Sequence, residues 1–469
     1  MRTPSQIPPR LVLGSWRELG TVGVVAALAS AYAAVLIMVA AVAGRLSDAD
    51  DGALGVMLGV VATVFILIAL YVSGVVMTNA VATVLAGRVR ALALLRLLGA
   101  DARRLRTQIV RQAGMVALVG AVSGTVLGVV AVLVGRVIMV AHGTIPGGSY
   151  PLVSSWLLPS IGAVVAVTAV AAAVGSRSVR TVSPADALRG PQPSRDAVRR
   201  LTRRRVGVAG FLVVTGILVL GMAVEAGSDG SAAGFLLAFV GGAVCTTGIL
   251  VGAQLFLPAC VAAVGRLLGH GPATVIARRN AVKDPKRTTR STIGLAVGVG
   301  LVVTFASGLD ALRRQVLEQD DLTARQRALS IQIFNLTEVV LVAIVVVSAV
   351  IAAVGFASTL SLTVLQRTRE IGLLRVLGLT RRQIRGMITR EAVAMSAAAI
   401  LLGVVVGIGY GSAAAASLVG GLGGGFALGV PRFVLVLVAV AGVVLVIVSA
   451  HAPARRAVAV TPVEALRFE

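Results

Sequence analysis

The feature that most constrains the fold of this chain is a series of ten long apolar runs separated by charged segments. A helix of about 20 apolar residues spans the hydrocarbon core of a bilayer, and in lipid the backbone polar groups must be paired internally. The sequence therefore predicts an all-α polytopic membrane protein with ten transmembrane helices. The runs lie near residues 20 to 43, 54 to 86, 113 to 141, 153 to 175, 206 to 225, 231 to 256, 292 to 308, 335 to 363, 392 to 418 and 433 to 451.

The distribution of charge predicts the orientation of these helices. All but seven of the 43 basic residues lie at the two ends of the chain and after the even-numbered runs. Basic residues gather in cytoplasmic loops, so both termini and these loops are expected to be cytoplasmic. The net charge of +24 is then a property of the cytoplasmic face, and no nucleic-acid partner is expected.

An internal repeat divides the chain. The segment LALLRLLGADARRL at 92 to 105 aligns with IGLLRVLGLTRRQI at 371 to 384, at an offset of 279 residues. A second pair of segments, SPADALR at 183 to 189 and TPVEALR at 461 to 467, aligns at an offset of 278. Spans one to four and seven to ten are therefore expected to be parallel copies of one unit.

The repeat predicts three regions. Spans five and six have no copy, so they form a two-helix insert between the repeated units. The predicted regions are the first four-helix repeat at 1 to 190, the linker and insert at 191 to 265, and the second four-helix repeat at 266 to 469.

The repeated loop has the residues of a helix, a sharp turn and a second helix. The short segment before the turn is amphipathic, with leucines on one face and arginines on the others. Gly99 and Gly378 stand where a helix needs a left-handed C-terminal residue. Thr380 with Gln383 makes a capping box for the next helix, and Asp101 is the corresponding N-cap. Such a shape at the cytoplasmic face suits docking to a partner.

These motifs resemble a known family. The string QRTREIGLLRVLGLTRRQI at 366 to 384 is similar to that of FtsX/MacB-type ABC transporter permeases, whose module has four helices with this loop between the second and third. The segment at 277 to 300 resembles the interfacial helix that precedes the module, and TPVEALR resembles its closing motif. The ten-helix arrangement resembles the BceB-like branch, which exports or detoxifies antimicrobial peptides, without the large external domain.

The resemblance implies a multi-pass permease of the bacterial cytoplasmic membrane that conveys motion across the bilayer. It would be driven by two separate cytoplasmic ABC ATPase subunits, which would hold the ATP and Mg, and it would not itself be an enzyme. Its cargo would be amphipathic or lipid-like. By the resemblance, the ATPase-coupling residues are Arg88, Arg90, Arg96, Gly99 and Asp101 in the first repeat, and Arg367, Arg369, Glu370, Gly372, Arg375, Gly378 and Thr380 in the second.

The first repeat departs from the family pattern. Ala91 replaces the acid found at Glu370, and Ala93 replaces Gly372. Gln112 stands where the second repeat has Glu391. The first docking surface is therefore expected to be weaker or differently tuned.

No other chemistry is expected in this chain. Neither of its lysines, Lys283 and Lys286, follows a glycine as a phosphate-binding loop requires, so no ATP site is expected. The three histidines, His142, His270 and His451, fall in separate loops or span ends, so no metal site is expected. Catalytic residues and bound cofactors are not expected either, and the remaining partners are membrane lipids.

Two other functions remain open. ATP-driven motion could signal to an external cell-wall enzyme or a sensor kinase, which would require an external partner protein. An ion-coupled carrier is the third possibility, but such carriers need buried charges, and the predicted spans hold almost none near their centres.

Overall fold

A computed structural model of the chain describes residues 20–46, 52–87, 89–97, 100–141, 154–177, 195–231, 233–269, 271–317, 327, 331, 368–419 and 426–444. The regular structure in these ranges is α-helical, as the composition predicts. The chain divides into two compact units, Met1–Pro193 and Ser194–Glu469.

The first unit is built around the crossing of its first and fourth helices, and the second and fifth helices pack beside them. Small residues where these two helices cross, and aliphatic residues around the crossing, form the core. The helices are α1 (Gly20–Leu46), α2 (Gly52–Gly87), α3 (Val89–Leu97), α4 (Ala102–Ala141) and α5 (Leu157–Gly175).

The second unit contains the insert and the second repeat. Its longest helix, α11, packs on α9 and on the insert hairpin, which α6 and α7 form together. Asp284 ends α8 and caps α9, because the Arg287 main-chain N–H donates to its Oδ1 at 3.2 Å. The helices are α6 (Arg195–Ser228), α7 (Ala233–Leu267), α8 (Pro272–Lys283), α9 (Pro285–Leu317), α10 (Thr368–Val376), α11 (Arg381–Val419) and α12 (Arg432–Val444).

Among the described residues, eight helices are long and apolar enough to cross a membrane. They are α1, α2, α4, α5, α6, α7, α9 and α11, and they coincide with the first seven predicted spans and the ninth. The predicted eighth span, 335 to 363, lies outside the described residues. The predicted tenth begins in α12, whose described part ends at Val444. The chain is a multi-pass membrane protein.

A seam of glycines at four-residue intervals brings the central helices of each unit into backbone contact. In the first unit, a Cβ atom added at Gly124 of α4 would overlap the main-chain oxygen of Ala27 in α1. In the second, a Cβ added at Gly407 of α11 would lie 2.9 Å from the oxygen of Gly300 in α9. Close approach of this kind is the usual role of small residues in membrane helices.

The segment 426–431 is fastened to α9 and α11 by hydrogen bonds. The Ser307 hydroxyl donates to the Gly429 carbonyl at 2.7 Å, and the Gly429 N–H donates to the Ser412 hydroxyl at 3.0 Å. The Val430 N–H donates to Asp310 Oδ2 at 2.9 Å. This end of α11 is therefore held to α9 by polar contacts as well as by the glycine seam.

Candidate functional site

The second repeated turn begins where α10 ends. Gly378 has a φ of 95°, so it occupies the left-handed region that a side chain would strain. The Leu379 N–H donates to the Leu374 carbonyl at 3.0 Å, and the Gly378 N–H donates to that of Arg375 at 3.1 Å. This pair of bonds is the Schellman motif, which satisfies the last carbonyls of the helix. The prediction of a left-handed residue at Gly378 is confirmed.

The helix after this turn is capped as the sequence predicts. The Thr380 N–H donates to Gln383 Oε1 at 2.8 Å, and the Gln383 N–H donates to Thr380 Oγ1 at 3.3 Å. These reciprocal bonds make the capping box. The first turn of α11 follows, with the Ile384 N–H donating to the Thr380 carbonyl at 3.1 Å.

The first repeated turn has part of the same bonding pattern. The Ala100 N–H donates to the Leu95 carbonyl at 2.9 Å, which matches the bond from Leu379 to Leu374 in the second repeat. The Arg103 N–H donates to Asp101 Oδ1 at 3.2 Å, which confirms Asp101 as the N-cap of α4. Gly99 lies outside the described residues.

Both turns bury the same apolar positions. In the first unit, Leu95 and Ala100 pack against the buried Leu105 and Ile109 of α4. In the second, the residues 279 positions later form a cluster that also takes in Ala277 of α8. That cluster contains Leu374, Leu379, Ile384 and Ile388. The short helix and the long one after it are therefore packed together, and α8 supports the second pair.

The opposite side of each short helix presents apolar side chains outward. Leu94 and Leu97 of α3 are 54% and 53% exposed. In the second repeat, Leu373, Val376 and Leu377 are 46%, 61% and 77% exposed. Exposed arginines follow in both copies, at Arg103 and Arg104 and at Arg381 and Arg382. Each turn thus combines an uncovered apolar patch with an adjacent row of cations.

The structure describes the side-chain burial of six of the twelve predicted coupling residues. Gly372 is buried in α10, as is its counterpart Ala93 in α3, so both repeats have a small buried residue at this position. Arg96 and Arg375 are partly buried, whereas Asp101, Gly378 and Thr380 are exposed. Arg90, Arg369 and Glu370 lie in helices, but their side chains are not described, and Arg88, Gly99 and Arg367 lie outside the described residues.

An ion pair that the sequence did not predict lies about three helical turns along α11 from the second turn. Arg287 Nη2 of α9 donates to Glu391 Oε1 of α11, and the two side chains are only 12% and 7% exposed. Glu391 is the position at which the first repeat has Gln112. The one sequence signal for this pair is the acid itself, since Glu391 is the only acidic residue in α11.

Comparison with known proteins supports the repeat. The model of the family described as FtsX-like permease C-terminal matches residues 63–184 and again 342–462. The two matched regions begin 279 residues apart and end 278 apart, which are the offsets of the repeated segments. The resemblance to FtsX/MacB-type permeases is confirmed.

Two similar proteins cover smaller parts of the chain. Over 127 residues it is 32% identical to YknZ of Bacillus subtilis (strain 168), named as an uncharacterized ABC transporter permease. Over 115 residues it is 33% identical to the macrolide export ATP-binding/permease protein MacB of Chlorobaculum tepidum. The matched stretches span 30% and 17% of these relatives and about a quarter of this chain. The family model, by contrast, matches more than half of the chain, and this protein therefore belongs to the FtsX-like permease family.

Proposed function

We propose that this chain is the permease subunit of an ATP-driven ABC transporter and that each repeated turn docks one cytoplasmic ATPase subunit. By the prediction of ten spans, both termini and both turns would lie in the cytoplasm. ATP and Mg would be bound and hydrolysed in the partner subunits. One chain then supplies both halves of the transmembrane part.

The observation that carries this proposal is the uncovered apolar patch on each short helix. Leu94 and Leu97 in one repeat, and Val376 and Leu377 in the other, stand beside arginines on the outer side of a rigidly capped turn. An exposed apolar patch rimmed by charge is typical of a protein interaction site. A groove on an ATPase lined by apolar and acidic residues would fit this patch.

The capping and packing of the second turn support a mechanical role for it. The Schellman motif and the capping box fix the angle between α10 and α11, and the apolar cluster packs them together. A helix of 39 residues is about 58 Å long, nearly twice the thickness of a hydrocarbon core. Movement of a docked ATPase would therefore pass into a helix that crosses the whole bilayer.

The cargo we propose is amphipathic or lipid-like. The outward surfaces of α4 and α6 are apolar over residues 115–138 and 206–222. Such walls offer a polar solute little hydration, whereas an amphipathic molecule can move along them with its polar end in water.

The proposal is tested by purifying the chain with candidate ATPase subunits and measuring complex formation and ATP hydrolysis in lipid. Leu377→Glu should weaken association at the second turn about tenfold, because it places a charge in the docking patch. Leu267→Glu, a matched change at another highly exposed leucine of the same unit, should leave association unchanged. Equal loss in both variants, or stable transport by the chain alone, would contradict the proposal.

A further inference from the structure

The segment 426–431, which precedes α12, presents apolar side chains on an irregular backbone. Its residues form neither helix nor strand. Phe426 and Leu428 are 58% and 53% exposed, and Phe433, in the first turn of α12, is 64% exposed. Exposed apolar side chains grouped this closely mark a contact with another molecule or with a membrane. By the charge distribution, the segment is expected on the outer side of the membrane, because it joins the ninth and tenth predicted spans.

Hydrogen bonds to α9 fix the depth of this segment along that helix. The Gly429 carbonyl accepts from Ser307 Oγ at 2.7 Å, and Ser307 lies one residue before the end of the predicted seventh span, 292 to 308. The Val430 N–H donates to Asp310 Oδ2 at 2.9 Å, and Asp310 is the first charged residue after that span. The segment is therefore held where the apolar part of α9 ends, which is the expected boundary between the hydrocarbon core and the headgroups.

The hydrogen bonds of the segment suit an apolar environment. In lipid, irregular backbone is tolerated only where its polar groups are paired within the protein. Gly429 has both main-chain groups paired, since its N–H donates to Ser412 Oγ at 3.0 Å. A Cβ atom added at Gly429 would overlap the main-chain oxygen of Ser307, so the segment packs directly on α9. Pro431 has no N–H to pair, and its carbonyl accepts from the Leu435 N–H at 3.0 Å.

A cation follows the apolar side chains. Arg432 comes directly after the segment and is exposed. An arginine at the edge of the hydrocarbon core extends its guanidinium to the headgroup layer, where the lipid phosphates lie. A soluble protein partner would have to pass through the headgroups to cover apolar side chains at this depth. The depth of the segment and the adjacent cation therefore favour lipid as the partner of this surface.

We propose that residues 426–433 insert into the outer leaflet of the membrane. Phe426, Leu428 and Phe433 lie among the acyl chains of phospholipids, and Arg432 reaches their phosphates. The hydrogen bonds to α9 and α11 hold the segment at this depth. Movement of these two helices would therefore displace lipid of the outer leaflet.

The test uses the full chain without ATPase subunits, reconstituted in phosphatidylcholine vesicles, so its outcome does not depend on the proposed transport function. Trp16→Phe and Trp156→Phe remove the two native tryptophans, and Leu428→Trp then reports the surroundings of the segment. Quenching of its fluorescence is measured with acyl chains brominated near the headgroup and with aqueous acrylamide. The reference variants are Met222→Trp, at an exposed position near the outer end of α6, and Asp229→Trp, in the exposed turn after it.

Leu428→Trp should lose the same share of its emission to brominated lipid as Met222→Trp, and acrylamide should quench it less than Asp229→Trp. Acrylamide quenching as strong as that of Asp229→Trp, without quenching by lipid, would overturn the proposal in favour of a loop in water. Quenching by neither agent would overturn it in favour of a protein partner or a second copy of the chain.

A second measurement tests whether the hydrogen bonds set the depth. Ser307→Ala combined with Ser412→Ala leaves both main-chain groups of Gly429 unpaired, so the segment should shift toward water. Lipid quenching of the reporter tryptophan should then fall and acrylamide quenching rise, whereas Met222→Trp in the same background should keep its lipid quenching. Ser417→Ala, which removes a hydroxyl that donates to a carbonyl of its own helix, is the matched control and should change neither. Unchanged quenching in the double variant would overturn the role given to these bonds.

Discussion

At the scale of single residues, Gly378 decides the geometry of the second turn. Its φ of 95° is one that residues with a side chain adopt only at a cost of about 1 to 2 kcal/mol, and β-branched residues at more. The residue itself is exposed and contacts no core, so its role is to set the direction in which the chain leaves α10.

We expect Gly378→Val to uncouple the turn from the membrane helices without unfolding them. Permease-dependent ATP hydrolysis should fall about tenfold, because about 1.4 kcal/mol of strain at the turn shifts its population by that factor. The melting temperature of the membrane part should stay within a few degrees. Gly378→Asn is the control, since asparagine tolerates the left-handed region, and it should retain most of the coupling. Full coupling in Gly378→Val would remove the turn from the mechanism.

The buried ion pair is the second feature at this scale. Removing one member leaves the other charge buried without compensation, which typically costs 3 to 5 kcal/mol. Glu391→Gln should therefore lower the melting temperature of the purified chain by several degrees. Adding Arg287→Gln to that variant should restore part of the loss.

The matched control for the ion pair is Arg314→Gln. Arg314 pairs with Asp310 at 2.9 Å, but its side chain is 43% exposed. Exposed pairs contribute about 1 kcal/mol or less, so this change should have a small effect. If Glu391→Gln and Arg314→Gln shifted the melting temperature equally, the burial of the Arg287–Glu391 pair would have no energetic role.

The sequence predicts the local chemistry of the site better than its long-range contacts. Gly378, Thr380 and Asp101 act within four residues of themselves, so their patterns are readable in one segment. The partner of Glu391 is 104 residues away, and nothing local identifies it. Leu373 and Leu374 have the same chemistry, yet Leu373 is exposed and Leu374 is partly buried, because α8 and α11 decide which side of α10 is covered.

At the scale of helices, the glycine seams fix how closely the central pairs approach. Gly407 and Gly409 of α11 are two residues apart, but a Cβ atom added at Gly407 would meet Val303 and the oxygen of Gly300. One added at Gly409 would meet nothing within 4 Å. The two glycines therefore lie at nearly the same depth in the membrane, but only Gly407 faces α9.

We expect Gly407→Ala to separate α9 from α11 and to lower the melting temperature by several degrees, corresponding to about 1 to 3 kcal/mol. Gly409→Ala should be neutral or slightly stabilising, since alanine is the better helix former. Circular dichroism melting in the same detergent compares the two. If Gly407→Ala left the melting temperature unchanged, backbone contact at this glycine would not determine the distance between α9 and α11.

At the scale of the whole chain, equivalent positions of the two repeats have different surroundings. Ala394, Ala398 and Ala413 of α11 are buried, and α11 packs against the insert helices α6 and α7. The positions 279 residues earlier in α4 are Met115, Val119 and Val134, and all three are exposed. Small residues occupy the positions that another helix covers, and large aliphatic residues occupy the positions that would face lipid.

A single chain with two docking turns should assemble with two ATPase subunits. We expect a complex of one permease and two ATPases by mass measurement in detergent. Changing both Leu97 and Leu377 to glutamate should weaken association of both ATPases, whereas either change alone should weaken association of only one. Two permease chains in each complex would contradict the one-chain arrangement.

The length and fastening of α11 have a geometric consequence. A rigid rod about 58 Å long that tilts by about 5° about one end displaces its other end by about 5 Å, close to the 5.4 Å pitch of a helix. The glycine seam and the bonds of Ser307 and Ser412 to Gly429 join α9 to α11, so α9 should move with α11. If the proposed function is correct, the two helices would move together, and a small rotation on one side of the membrane would become a displacement of several ångström on the other.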